Sequence, residues 1–296
     1  MFIQNIKLKK ALLGQYHLLS QAIFWLGGSP VMVISLPKAG THLITSVLGC
    51  FPRVMLTHRH LRLPDIHDGS FPYSTPSDFR PDVGRLRTYL GQIRDGQVAS
   101  CHFPYSELAA DVMRSAGMKI IFAIRDPRDI AISQVNYICK LERHPLHQML
   151  LTRYSDFDER LLACVKGIEG IDKFRNSHHL TFLDKDMPSL SVRAAAFLGW
   201  LGRPDVLTVR FEDLVGARGG GDDSRKMTTI SEMARHIGKS LSQPQLDELM
   251  TRSADTKSAT FFSGKAYSWK KTLNQETAVL VTKELQSTIK TYGYQV

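Results

Sequence analysis

Val31-Met32-Val33-Ile34-Ser35-Leu36 is a continuous apolar run broken only by Ser35, and Pro37-Lys38-Ala39-Gly40-Thr41 follows it at once, leading into a helical pattern. The order is strand, short glycine-containing turn, helix. Such a turn lets successive backbone N–H groups point inward, and the start of the following helix adds partial positive charge. The geometry suits an anion, and Lys38 places a full charge beside it. The turn is not a Walker A loop, which needs four residues between its first Gly and Gly-Lys-Ser/Thr. A surface turn with a solvated lysine is the plainer reading of these five residues taken alone.

The chain has 296 residues and a formal charge of +10, with a pI near 9.5. That length suits one large α/β domain with a sizeable core. The charge favours a polyanionic partner: a nucleotide, a nucleic acid or a membrane surface. No nucleic-acid reader motif or basic recognition helix is present, so nucleic acid is not expected. The four cysteines Cys50, Cys101, Cys139 and Cys164 are dispersed without C-x-x-C spacing, which points to a reducing, cytoplasmic setting. From Ala11 to Gly28 no Lys, Arg, Asp or Glu occurs, but the stretch is interrupted by polar residues and is too short to span a bilayer. Leu12, Tyr16, Leu19, Ile23 and Leu26 recur at helical steps, so residues 1–29 are expected to form an amphipathic helical extension of a single domain. Peripheral membrane contact through that helix is the alternative to packing on the domain.

Two further strands read clearly. Lys119-Ile120-Ile121-Phe122-Ala123-Ile124 runs into Arg125-Asp126-Pro127-Arg128-Asp129, and Val206-Leu207-Thr208-Val209-Arg210-Phe211 is closed by Glu212-Asp213-Leu214. Apolar runs separated by helical stretches indicate parallel strands covered on both faces, the α/β class, with ligands at the carboxyl ends of the strands. Helical patterns occupy roughly residues 158–174, 226–238, 243–252 and 275–290. The Pro-, Asp- and Arg-rich region 61–96 is either an acceptor-binding region or a surface connection, and Gly219-Gly220-Gly221 reads as a flexible turn.

Three signals carry chemistry. The first is the Pro37–Thr41 loop. The second is Arg125 with Ser133, eight residues on; an Arg at a strand end forks onto phosphate while a Ser donates from the helix, although pairing with Asp126 or Asp129 is the simpler account of Arg125. The third is His102 in Ser100-Cys101-His102-Phe103-Pro104, because a neutral imidazole takes a proton from an alcohol near neutral pH. With eleven histidines in the chain, spacing alone does not single it out.

Together these segments resemble the sulfotransferases that use 3′-phosphoadenosine-5′-phosphosulfate (PAPS), over residues 31 to about 273. The family's Pro-Lys-Ser-Gly-Thr loop is similar to Pro37–Thr41, with Ala39 for Ser; its Arg-x7-Ser segment to Arg125 and Ser133; its Thr-His-x-Pro histidine to His102, with Cys101 for Thr; its Tyr-Glu-Asp-Leu to Phe211–Leu214; and its terminal Phe-Arg-Lys-Gly motif to the stretch from Phe261 through Lys270. The resemblance implies a three-layer α/β/α fold with a central parallel sheet, related to P-loop NTPases. It implies His102 and Lys38 as catalytic residues. Pro37, Lys38, Ala39, Gly40, Thr41, His42, Arg125, Ser133, Phe211, Ser263, Gly264 and Lys265 would hold PAPS, and no metal is required.

Several positions depart from the pattern. Ser100 stands where the family often has Lys, Leu43 where it has an adenine-stacking Trp, and Phe262 where it has an Arg on the 3′-phosphate, with Lys265 as a partial substitute. The implied reaction is sulfuryl transfer to a hydroxyl or amine of a small molecule, lipid or glycan. The Val215–Asp223 insertion and the Gly-Thr-His-Leu loop variant are similar to bacterial-type members. Asp65, Asp68, Asp78 and Asp82 suit a polar or cationic acceptor or a solvated loop. The alternatives are a catalytically degenerate nucleotide- or glycan-binding protein of the same fold, favoured by Ser100, Leu43 and Phe262, and an ATP-dependent kinase, which lacks its expected loop and metal ligands here.

Overall fold

The computed structural model describes residues 27–66, 80–171, 187–253 and 264–296. Five parallel strands form the sheet: β1 (Val31–Ser35), β2 (Met55–Leu61), β3 (Gln97–Cys101), β4 (Lys119–Ile124) and β5 (Val206–Arg210), in the order β2-β3-β1-β4-β5. Val31 lies opposite Val98 on one side and Lys119 on the other. The principal helices are α1 (Thr41–Gly49), α2 (Val83–Leu90), α3 (Glu107–Ser115), α4 (Pro127–Lys140), α5 (Phe157–Lys166), α6 (Asp223–His236), α7 (Gln243–Arg252) and α8 (Gln275–Glu284).

Alternation along the central strands feeds two cores. Met32 and Ile34 of β1, with Ile120, Phe122 and Ile124 of β4, join the larger core formed with helices α2 to α5 and the C-terminal residues. Val31, Val33, Ile121 and Ala123 point the other way, into the core under α1, α6 and α7. This is the three-layer α/β/α arrangement that the sequence implies. All five residues of β1 are buried, which is why the strand reads as an unbroken apolar run. Losing a large side chain from such positions costs about 2–5 kcal/mol, so the central strands hold the carboxyl edge of the sheet rigidly in place.

Strands β2 and β3 were not read from the sequence: MLTHRHL is dominated by polar residues, and QVASC has Val98 as its single large apolar residue. The helix expected over 158–174 ends at Lys166. The helix expected over 275–290 breaks at Leu285 into Gln275–Glu284 and Gln286–Thr291. The glycine turn expected to be flexible is packed: the Gly219 carbonyl accepts from the Ala266 amide at 2.7 Å, and a Cβ on Gly221 would come within 2.4 Å of the Glu212 carbonyl oxygen. The proposed helix over residues 1–29 lies outside the described residues, apart from Gly27, Gly28 and Ser29. No helix among the described residues is long and apolar enough to cross a membrane.

Candidate active site

The loop between β1 and α1 reverses the chain in five residues. Lys38 has φ 75 and Gly40 φ 114, the left-handed region that most L-residues avoid. Gly40 is fixed there by space as well as by angle, since a Cβ would lie 2.9 Å from the Phe211 ring. The Ala39 amide donates to the Leu36 carbonyl at 3.1 Å, whereas Ile44 is the first residue whose amide meets the carbonyl of Gly40. The loop's available amides therefore begin at Gly40 and run to Leu43, since the first amides of a helix have no acceptor within it. Ala39 itself is buried at 1% exposure and offers no free donor.

Lys38 leans over the Tyr137 ring of α4, its Nζ 4.1 Å from the ring centre. Burial, then the neighbouring charge of Arg125, bring its pKa down to about 8, so it is cationic at pH 7 and within reach of deprotonation above that.

Arg125 directly follows β4, on the other side of the loop. It is 6% exposed, with its guanidinium carbon 4.1 Å from the centre of the Phe211 ring. It donates to the Lys38 carbonyl at 3.4 Å and to the Lys265 carbonyl at 3.1 Å. Burial lowers its pKa against the opposing pull of Asp129 and Glu212. The pairing anticipated for Arg125 is loose: Asp129 lies at 3.9 Å, and Asp126 is taken by Arg128 at 2.8 Å. Asp129 instead accepts from the Ser268 hydroxyl at 2.8 Å and the Trp269 amide at 2.9 Å. Arg125 Nε is buried and has no hydrogen-bond partner among the described residues.

His102 follows β3. Its Nδ1 lies 2.8 Å from the Ser35 carbonyl and 3.4 Å from the Ser35 hydroxyl. A carbonyl only accepts, so Nδ1 carries the proton and Nε2 keeps its lone pair. The Ser35 hydroxyl also shares a buried hydrogen bond with the Thr41 hydroxyl of the loop. Burial, followed by the nearby His60, pushes the His102 pKa down to about 3, against the raising effect of the Ser35 carbonyl. The imidazole is therefore neutral throughout the physiological range.

His102 opens onto a cleft of about 340 Å³ whose lining includes His42, Thr45, His58, Arg59, His60 and Ser100. The structure thus gathers Lys38, Gly40, Thr41, His42, Arg125, Phe211, Lys265 and His102 around one end of the sheet. Ser133 lies on α4 one turn before Tyr137. Lys265 meets Arg125 through its backbone carbonyl, and its own side chain is exposed. Leu43 is 8% exposed and belongs to the core, leaving little of it to face a nucleobase. Ser263 and Phe262 lie outside the described residues. Asp65 is held by Arg62, and Asp82 caps α2 through the Arg85 amide, so neither acid lines the cleft beside His102. Sequence reasoning missed Ser35, although it is the one polar residue in the β1 run, and it missed His60, which sits in a strand that was not recognised.

Comparison with known proteins identifies the family of the chain. A family model described as "Sulfotransferase domain" matches residues 29–184, more than half of the chain. The chain belongs to the sulfotransferase family, whose domain implies a PAPS-dependent enzyme. Its fold is similar to that of mouse sulfotransferase SULT7A1 complexed with PAP, with a TM-score of 0.55 and 13% identity, covering 88% of this chain and 85% of that one. It is also similar to retinol dehydratase in a complex with retinol and PAP, with a TM-score of 0.52 and 15% identity, covering 92% of this chain and 84% of that one. At these identities the likeness establishes the fold. No curated protein matches the chain significantly.

The tautomer gives a direct expectation. Nitrogen-15 NMR of the histidine rings will show His102 as the neutral Nδ1–H form with no titration between pH 5 and pH 8, given a pKa of about 3. A protonation midpoint near the ordinary histidine value of about 6.5 contradicts the assignment.

Proposed function

We propose that this chain, acting as a single sulfotransferase domain, moves a sulfuryl group from PAPS to a hydroxyl or amine of a small-molecule, lipid or glycan acceptor, with His102 as general base. The observation that carries the reading is the double engagement of Ser35: its carbonyl orients the His102 ring while its hydroxyl holds Thr41 of the anion loop. One residue sets the distance between the base and the donor loop. The unpartnered Nε of the buried Arg125 supports a second anion site, one suited to a 3′-phosphate, and the close approach allowed by Gly40 supports the first.

When bound, PAPS supplies an activated sulfuryl group with a phosphate as leaving group. Lys38 and the amides of Gly40 to Leu43 hold the 5′ side and neutralise charge that grows on the departing phosphate. Arg125 and Ser133 hold the 3′-phosphate, with Phe211 as the surface on which the guanidinium lies. His102 accepts the acceptor's proton at Nε2, a role that usually contributes about 10² to 10⁴ in rate. The Lys38 charge contributes to the low basicity of His102; a polyanion held by Lys38 offsets that repulsion and makes the imidazole a stronger base. His102 thus gains basicity when the donor is in place.

A mass-spectrometric screen of hydroxyl and amine compounds with PAPS tests the reaction as the gain of one sulfuryl group. On the acceptor that reacts, His102→Ala is expected to lower turnover by about 10² to 10⁴ with PAP affinity nearly intact; undiminished turnover removes His102 from the mechanism.

Lys38 gives a pH dependence with a definite sign. The charged form favours the anion and is lost as pH rises through about 8. Calorimetry should therefore find PAP affinity level from pH 6 to 7 and falling above pH 8, by at most about tenfold per pH unit for one linked proton, with the fall absent in Lys38→Met. An affinity independent of pH in the native protein contradicts the role.

A further inference from the structure

Strand β2 carries His58, Arg59 and His60 in succession. In a regular strand neighbours face opposite sides of the sheet, so Arg59 would point away from the two histidines. Here all three line the same cleft beside His102. The pairing shows how: Leu56 lies opposite Val98 and His60 opposite Ser100, so four steps along β2 answer two along β3, and the register shifts between them. His58, within this bulge, has φ 52, a left-handed conformation away from glycine. Bulges commonly re-aim side chains beside functional sites, and this one turns a basic tripeptide toward the imidazole that faces the acceptor.

The groups in the cleft are donors held in place without carboxylates. Arg59 donates to the Gln92 side-chain oxygen, a neutral partner. His60 Nδ1 is 3.0 Å from the Ser100 hydroxyl, and its ring lies edge-on to His102 with centres 4.6 Å apart. His42 faces the same space. Among the described residues no Asp or Glu lines the cleft; Asp65, whose charge reaches His60, is bound bidentately by Arg62. Ser100 is thus a positioning residue for His60.

We propose that this cleft is an acceptor subsite for an oxyanion, so that the acceptor is a hydroxyl-bearing compound that also carries a carboxylate or a phosphate, held by Arg59, His58 and His60 while its hydroxyl meets His102. The subsite rests on the sulfotransferase reading for its role and on the bulge for its construction. Of the four acids that suited a polar or cationic acceptor, Asp65 and Asp82 are engaged elsewhere, and Asp68 and Asp78 lie outside the described residues.

The test is a titration of the full chain, labelled with nitrogen-15 histidine, at pH 7, following the ring signals of His58 and His60. The probes are 4-hydroxybenzoate, phenyl phosphate and uncharged 4-hydroxybenzyl alcohol. At least one anion is expected to shift both rings and to saturate at a concentration at least about tenfold below the alcohol, the scale of one charge-assisted hydrogen bond. The tighter of the two anions identifies the group. Arg59→Gln is expected to narrow the gap at least about fivefold, within the same range, with His58→Asn as a second variant should the first fail to fold. Equal affinity for the alcohol, silence of both rings with all three probes, or an unaltered gap in the variant overturns the proposal. PAP affinity, measured by calorimetry on the same sample, reports on the donor site separately: its absence rejects the sulfotransferase reading of the loop, while the ring titration still decides whether the cleft takes oxyanions.

Discussion

The carbonyl and the hydroxyl of Ser35 work in two directions at the carboxyl end of β1. The carbonyl accepts the proton-bearing nitrogen of His102 at 2.8 Å, and the hydroxyl holds Thr41, the first residue of α1. Ser35 is completely buried, so neither contact is exchanged with water, and losing a buried partner costs about 1–3 kcal/mol. Because the strand that carries Ser35 is itself buried in every residue, the spacing between anion loop and imidazole is inherited from the sheet. A base on a loop of its own would have to be ordered separately at each turnover.

The 3′-phosphate position proposed at Arg125 depends on a denser construction. Arg125, Asp126, Arg128, Asp129 and Glu212 are all buried, an arrangement that costs desolvation and is tolerated only when hydrogen bonds satisfy the charges. They do so through distant parts of the chain. Glu212 accepts from the Asp126 amide at 2.9 Å and from the Tyr294 hydroxyl at 2.7 Å, Arg128 lies 3.8 Å over the Trp269 ring and reaches the Gln295 carbonyl. Burial raises the pKa of Asp129 and Glu212, while their charge supports that of Arg125. The terminal residues thus fasten the turn that presents Arg125, whose Nε is buried without a hydrogen-bond partner among the described residues.

What the sequence disclosed followed apolar runs. Strands β1 and β4 were legible because strands covered on both faces read as such runs, β5 because Val206, Leu207 and Val209 keep one at the sheet edge, and the loop after β1 because its residue types match its position. Strand β2 was hidden because it spends His58, Arg59 and His60 on a cleft, and central β3 because Val98 is its single large apolar residue. Phe211 was read as the end of a strand, but it opens the helix Phe211–Leu214 and serves as the wall that both Gly40 and Arg125 touch. That contact joins residues far apart in the chain, and no local pattern announces it. Leu43, which the family resemblance set beside a nucleobase, follows the helical period of α1 into the core. Ser100, which looked like a lost catalytic contact, supports His60. The proposed acceptor subsite stayed unread because it depends on a bulge, and the two extra residues that β2 carries there leave no periodic trace in a polar strand.

A crystal structure of the chain with PAP tests the shared anchor of base and donor loop most directly. A 5′-phosphate is expected on Lys38 and the amides of Gly40 to Leu43, a 3′-phosphate on Arg125, and His102 Nδ1 still on the Ser35 carbonyl with Nε2 open to the cleft. PAP bound away from Lys38 and Arg125, or His102 released from Ser35, contradicts it.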